Sequence, residues 1–287
     1  MMVSKKMKNA RVIENNSPIL SCPICSSDMD LLEYAKLVCL NNHSFDLSKN
    51  GYVNLAPQAS GTKYDKSLFQ ARKIVMASGF FDPIISRITE NIKVARNGEH
   101  SALLLDAGCG EGSHLSAICT RLNNLTGVGI DLAKEGIEAA AKMHPGSIWA
   151  VADLAKCPFG SGEFDFIVNI LSPANFAEFT RVLKPGGMCL KVVPESGYLQ
   201  ELRTIFYDGK SDQANSADPI ERFGAHFEEV ETTRLTYQFP LTPELLEPLI
   251  RMTPLSWGAG EKKVKEALQT NIRQVTVDLS IISGLNG

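Results

Sequence analysis

A chain of 287 residues, 44% hydrophobic and 21% charged, has the length and composition of one large α/β domain with a small attachment, which excludes a disordered or fibrous protein. No apolar run reaches the roughly 20 residues of a membrane-spanning helix, and the lysine-bearing start has no apolar stretch behind it, so no secretory signal is expected there. Net charge is −3, yet residues 1–100 hold 13 Lys+Arg against 9 Asp+Glu and the remainder 16 against 23; the asymmetry is either chance or a first third that faces something anionic.

Residues 1–18 read as a disordered leader, and 19–60 as a zinc-binding domain. Its ligands are Cys22-x2-Cys25, then thirteen residues, then Cys39-x3-His43. Thiolates and imidazole are the donors that Zn²⁺ prefers, and four of them leave no open position, so the metal is structural. So few apolar residues lie here that metal binding must supply much of the folding energy. In "FDLSKNGYVNL", Phe45, Leu47, Tyr52, Val53 and Leu55 predict a strand that packs the knot on its neighbour, with a turn at Lys49–Gly51. Exposed aromatics here would alternatively stack on unpaired bases.

From residue 61 to 287 a second domain follows. Apolar Leu68, Ala71, Val75 and Met76 predict a helix from 66 that ends at Gly79, and Asp82-Pro83 an N-cap and first turn of another that runs to about Arg96. Residues 102–105 are a buried strand that ends in Asp106-x-Gly108-x-Gly110-x-Gly112 and enters a helix over 113–122. A second strand ends in Asp131, placed to accept from ribose hydroxyls, a helix covers 132–143, a third strand ends in Asp153, and "EFDFIVNI" makes a fourth. "RVLKPGG" is a helix end and turn before a fifth strand. This alternation predicts a Rossmann-like, doubly wound parallel sheet. Residues 207–224 are polar and predict a mobile loop, after which 227–242 and 271–283 alternate as antiparallel closing strands. Cys109, Cys119, Cys157 and Cys189 stand singly in apolar segments and read as free thiols of a reducing compartment. His100, His114, His144 and His226 read as structural or surface residues.

A dinucleotide loop reads G-x-G-x-x-G; here the third glycine comes one residue early, no basic residue awaits a pyrophosphate, and carboxylates close three successive strands. These departures favour S-adenosylmethionine (SAM) over NAD, and the set resembles the class I SAM-dependent methyltransferases. By that resemblance Gly108, Gly110, Glu111 and Gly112 line the amino-acid and ribose side of SAM, Asp106 ahead of the loop is a further cofactor candidate, Asp131 holds the ribose, and Asp153 and Leu154 border the adenine. The zinc knot, "FDLSKNGYVNL", "QARKIVMASGFFDPI", the glycine loop and "MTPLSW" together resemble the RlmA-type 23S rRNA (guanine-N1)-methyltransferases, relatives of the tylosin-resistance methyltransferases, from about residue 20 to 280. The resemblance implies a guanine in a domain II hairpin of 23S rRNA, naked or in an assembling particle, gripped with help from the zinc knot in the cytoplasm. It allows a homodimer and, by analogy, macrolide resistance. Phe81 stands where the family usually has Tyr, and Tyr198 where it often has His; both are cofactor candidates. Asn169 and Ser172 in "NILSPAN" and Trp257 are substrate candidates, and "LSPA" departs from the family's commoner "YAPC"-like sequence. Asp65 is the one named candidate for a base. A small-molecule methyltransferase, or a non-catalytic RNA- or ribosome-binding protein, remain the alternatives.

Overall fold

The computed structural model describes residues 4–56, 64–96, 98, 100–207, 219–257 and 259–287. The first element is a helix, α1 (Lys5–Asn16), where a disordered leader was expected. Ser4 caps it, its Oγ accepting from the Met7 N–H at 3.2 Å. Ala10 and Ile13 are fully buried, and the Asn9 side chain bridges the Asn50 carbonyl and the Gly146 N–H. Four basic residues and a single short apolar stripe hid this helix, because its partners lie far along the chain.

A small antiparallel sheet follows, β1 (Met29–Leu32), β2 (Lys36–Cys39) and β3 (Ser44–Asp46). The turn expected at Lys49–Gly51 is present, the Gly51 N–H donating to the Ser48 carbonyl, and it divides the expected strand between two sheets. Gly51, at φ +82°, turns the chain, and β4 (Val53–Asn54) leaves the small sheet to become an edge strand of the large one. Residues 44–55 therefore serve both sheets, and the apolar cluster that holds Leu37, Phe45 and Val53 continues into Ala150 and Phe159 without a break.

The main layer is built from α2 (Lys66–Ala77), α3 (Asp82–Ala95), β5 (Ala102–Ala107), α4 (Ser113–Arg121), β6 (Leu125–Asp131), α5 (Lys134–Met143), β7 (Ile148–Val151), β8 (Phe164–Ile170), α6 (Phe176–Val182) and β9 (Leu183–Pro194). It closes with α7 (Gln200–Tyr207), α8 (Pro219–Gly224), β10 (Glu228–Pro240), α9 (Pro243–Met252), α10 (Glu261–Leu268) and β11 (Gln274–Leu285). The strand order is β10-β11-β9-β8-β5-β6-β7-β4, with β11 antiparallel to both neighbours and every pair from β9 to β4 parallel. The central strands are buried on both faces, as their unbroken apolar runs require. Phe81, one residue before the predicted cap, is the N-cap of α3, and Ile84, Ile88 and Ile92 present one face of that helix to the core. The loop expected to be mobile falls on 208–218, outside the described residues; its end, 219–224, is α8. No described helix is long and apolar enough to cross a membrane.

Strand order reverses at β5, with β6 on one side and β8 on the other, which opens a crevice beyond the carboxyl ends of these strands. Gly112 ends the loop there at φ +80°, and a Cβ on it would meet the Trp149 ring at 2.5 Å. The glycine is needed for both the turn and the indole packed behind it.

Candidate metal centre and cofactor cavity

Two knuckles hold the metal ligands. The Cys22 carbonyl accepts from the Ser26 N–H and the Cys39 carbonyl from the Asn42 N–H, with Ser26 and Asn42 in the left-handed region at φ 60° and 62°. The four donor atoms of Cys22, Cys25, Cys39 and His43 all lie within 4.8 Å of one another. Zinc bonded to sulfur at about 2.3 Å and nitrogen at about 2.0 Å sets tetrahedron edges of about 3.8 Å for S···S and about 3.5 Å for S···N. The structure has Cys25 Sγ–Cys39 Sγ at 3.7 Å, Cys22 Sγ–His43 Nδ1 at 3.6 Å and Cys39 Sγ–His43 Nδ1 at 3.4 Å. The side chains fit a closed tetrahedral zinc, with no position left for water. Hydrogen bonds from the Asn41 and Ser27 side chains hold the Cys25 thiol down to about 5, in the thiolate form a metal needs.

The crevice at the strand ends is a cavity of about 740 Å³. Of the cofactor and substrate candidates, Phe81, Gly108, Asp131, Asp153, Leu154, Ser172, Tyr198 and Trp257 line it. Asp131 ends β6 with both oxygens engaged, Oδ2 accepting from the Gly110 N–H and Oδ1 from the Ala133 N–H, each at 2.8 Å. One carboxylate thus fixes the glycine loop and the start of α5 and keeps lone pairs for hydroxyls in the cavity. Gly108, at φ +87°, has no room for a side chain, because a Cβ would fall 2.0 Å from Ser172 Oγ.

Asp106, Gly110, Glu111 and Gly112 lie behind this wall. Glu111 is buried, with its Oε2 3.1 Å from Arg72 Nε, an ion pair without the alignment of a hydrogen bond. Asp106 is buried with Oδ2 unpartnered among the described residues. Burial pushes its carboxyl up to about 7, with Arg72 pulling the other way and Asp131 and Glu111 adding to the rise. Arg72 is the cation this acidic group is built around, and its signal in the sequence was one arginine in a helix that otherwise reads as packing. Replacing Arg72 with Met should destabilise the fold by on the order of 3 kcal/mol, less than a fully buried pair because the arginine keeps 22% exposure. The sign with pH follows from Asp106. Its folded pKa is raised, so stability falls as pH rises from about 4 towards 7, and without Arg72 the folded value rises further. The melting-temperature deficit of the variant should therefore be larger at pH 8 than at pH 5; equal deficits would contradict this role.

His114, read as structural or surface, is buried and lines the cavity. Its Nδ1 accepts from Arg72 at 3.2 Å, which puts the hydrogen of the neutral ring on Nε2, an atom with no partner among the described residues. Burial first, and Arg72 second, hold its pKa well below the ordinary value. Tyr64, Lys191 and Arg203 also line the cavity and were not singled out in the sequence. Tyr64 and Trp257 stand edge to face at 5.3 Å, both partly exposed.

Two candidates fall away. Asp65 is outside the cavity and caps α2, its Oδ1 accepting from the Leu68 N–H at 2.9 Å and Ser67 Oγ at 2.7 Å, bonds that hold its carboxyl low. Asn169 is fully buried below the cavity, donating to the Ala107 and Pro173 carbonyls and accepting from Lys191, so it has nothing free for a base edge. A short polar side chain inside an apolar strand reads equally well as a site residue or a brace, and here it is a brace.

An unpartnered imidazole N–H, a guanidinium, a cradle closed to any Cβ and a ribose-height carboxylate around one apolar cavity fit SAM. The strand order, the glycine turn and this cavity define a class I SAM-dependent methyltransferase with a structural zinc site. A family model described as "Methyltransferase domain" matches residues 104–187, and one described as "RlmA, N-terminal", a zinc ribbon, matches residues 20–60. YxjB of Bacillus subtilis, provisionally named a 23S rRNA (guanine-N(1)-)-methyltransferase, is 40% identical over 270 residues, 92% of this chain and 96% of that protein. The 23S rRNA (guanine(748)-N(1))-methyltransferase of Streptomyces fradiae is 29% identical over 265 residues, 91% of this chain and 94% of that one. A solved structure from Anabaena variabilis, provisionally named a methyltransferase of antibiotic biosynthesis, aligns with a TM-score of 0.51 at 13% identity over 69% of this chain and 96% of its own, a likeness of fold alone. The chain belongs to the RlmA-type 23S rRNA (guanine-N1)-methyltransferase family.

Proposed function

We propose that the enzyme methylates N1 of a guanine in a domain II hairpin of 23S rRNA, acting in the cytoplasm, and that its zinc ribbon helps grip the RNA. The observation that carries the reading is one cavity with two kinds of wall: the Asp131 and Asp153 rim for the cofactor, and the partly exposed Tyr64–Trp257 pair for a flat ring. RNA loops are read through splayed bases stacked on aromatic side chains, and an enzyme acting on a base takes it out of its stack. The names of the full-length relatives favour a guanine of 23S rRNA as that base.

When bound, SAM supplies a methyl group already activated by its sulfonium. Asp131 would accept from the ribose hydroxyls, Asp153 and Leu154 with Leu132 would border the adenine, and Arg72, the Gly108 turn and the His114 Nε2–H would serve the amino-acid end. Phe81 and Tyr198 exclude water beside the reacting groups, and burial keeps the Tyr198 hydroxyl protonated. The protein's work is to align donor and acceptor in a dry cavity. A homodimer with paired clefts belongs to the same proposal.

Turnover of labelled SAM should require added 23S rRNA and fall steeply with rising salt, because the hairpin is held through several phosphates. Equal turnover on free nucleosides, or turnover indifferent to salt, would contradict the proposal.

A further inference from the structure

Guanine N1 carries a proton at neutral pH, and that proton must leave as the methyl arrives. The carboxylates near the cavity are poorly placed to take it. Asp131 is committed to two backbone N–H groups on the cofactor side, Asp153 Oδ1 accepts from the Ala155 N–H, and Asp65 caps a helix outside.

Lys191 is different. It interrupts the apolar run "MCLKVV" of β9, only 9% of it is exposed, and it lines the cavity. No salt bridge holds it among the described residues. Its Nζ donates to Asn169 Oδ1, on the neighbouring strand β8, and to the Ser172 carbonyl, both at 2.5 Å. Asn169 is in turn anchored by its amide to the Ala107 and Pro173 carbonyls, so the two acceptors are rigid. A neutral amine has two N–H bonds and one lone pair. Two fixed acceptors take the two N–H bonds and leave the lone pair free.

We propose that Lys191, as the neutral amine held by Asn169 and the Ser172 carbonyl, is the general base that takes the N1 proton of the acceptor guanine; this rests on the rRNA-guanine reading above. The N1–H bond breaks and its proton bonds to the Nζ lone pair. The electron pair left on N1 forms the bond to the methyl carbon as the carbon–sulfur bond breaks, and that pair passes to sulfur. The products are 1-methylguanine, S-adenosylhomocysteine and the Lys191 ammonium, which returns its proton to solvent.

The surroundings suit this task. Burial is the main influence that lowers the Lys191 pKa, to about 8; the Cys189 thiol on the same strand opposes it and Arg222 of α8 adds to it. The other titratable groups that line the cavity are Tyr64, Arg72, His114, Asp131, Asp153, Tyr198 and Arg203, and on β11 the residue opposite is the uncharged Ile282. A base that titrates near the working pH is what proton abstraction requires.

The test uses the full-length zinc-loaded enzyme, saturating SAM and a 23S rRNA hairpin transcript, in single turnovers. Lys191→Met should slow methyl transfer at least ~100-fold while SAM and RNA affinities stay within about twofold. The wild-type rate should rise with pH and level above about 8. Lys191→Arg should not rescue, because a guanidinium does not give up its proton at these pH values. Rescue by Arg, or an undiminished rate in the Met variant beside an active wild type, would overturn the proposal and leave the rRNA reading standing. A wild type that leaves guanine N1 of rRNA unmethylated would overturn that reading and the proposal with it. Independently of turnover, NMR of ¹³Cε-lysine-labelled protein, with Lys191→Met to assign the signal, should show this amine titrating near 8. Titration at the ordinary value of about 10.4 would also overturn the proposal.

Discussion

Asp131→Ala should weaken SAM binding by roughly 100-fold or more, measured by titration calorimetry on the zinc-loaded protein. A hydrogen bond to a charged group contributes about 1.5–3 kcal/mol. Losing two of them to ribose hydroxyls costs about 3 kcal/mol or more, and each 1.4 kcal/mol is a factor of ten. A further loss is structural, since the same carboxylate orders the Gly110 and Ala133 N–H groups, and without it the glycine loop is held to β6 only through the Gly108 and Cys109 N–H groups on the Ile130 carbonyl. Asp131→Asn keeps the shape and one acceptor and should fall between. Burial raises the Asp131 pKa, so SAM affinity should also decline on acidification sooner than an ordinary carboxylate would allow. Unchanged affinity in the alanine variant would mean that the ribose is bound elsewhere.

Removing the metal should have an effect as large, on a different function. A structural zinc contributes about 10–16 kcal/mol of folding energy in small zinc domains, and this ribbon has three short strands to offer in its place. With Cys22→Ser and Cys25→Ser together, or after chelation, residues 20–46 should lose protection from hydrogen exchange and affinity for the rRNA hairpin should fall at least tenfold. SAM affinity should stay within a few fold, because Gly108, Asp131 and Asp153 belong to the β5–β7 half of the sheet. Some loss of overall stability is also expected, because Leu37 and Phe45 share an apolar cluster with Ala150 and Phe159, and β4 hangs on β7. A ribbon that stays protected after the metal has left would contradict a structural role for zinc.

The parts legible in the sequence are those written in local pattern. Cys22, Cys25, Cys39 and His43 sit at ligand spacing on two short turns, and the structure brings their donor atoms together. The βα alternation and the glycine loop at 108–112 foretold a doubly wound sheet, because a buried parallel strand has no other reason to be apolar on every residue. What escaped depends on partners distant in the chain. Ile13 is a core residue only because β7 and α5 lie beneath α1, and Val53–Asn54 is a strand only because β7 has a free edge. The same holds within the cavity. Arg72 gains its meaning from Glu111 and Asp106, and Asn169 changes from a substrate contact to a brace once Lys191 is seen across the strand. A lone lysine in "CLKVV" was the one visible clue to that pair.

The most direct measurement is the position of the methyl group. 23S rRNA lacking its own modifications would be incubated with the enzyme and labelled SAM, digested, and its modified bases identified by mass spectrometry. Label in 1-methylguanine from a single domain II hairpin is the predicted result. Label in another base, another position on guanine, or no label despite tight SAM binding would contradict the account.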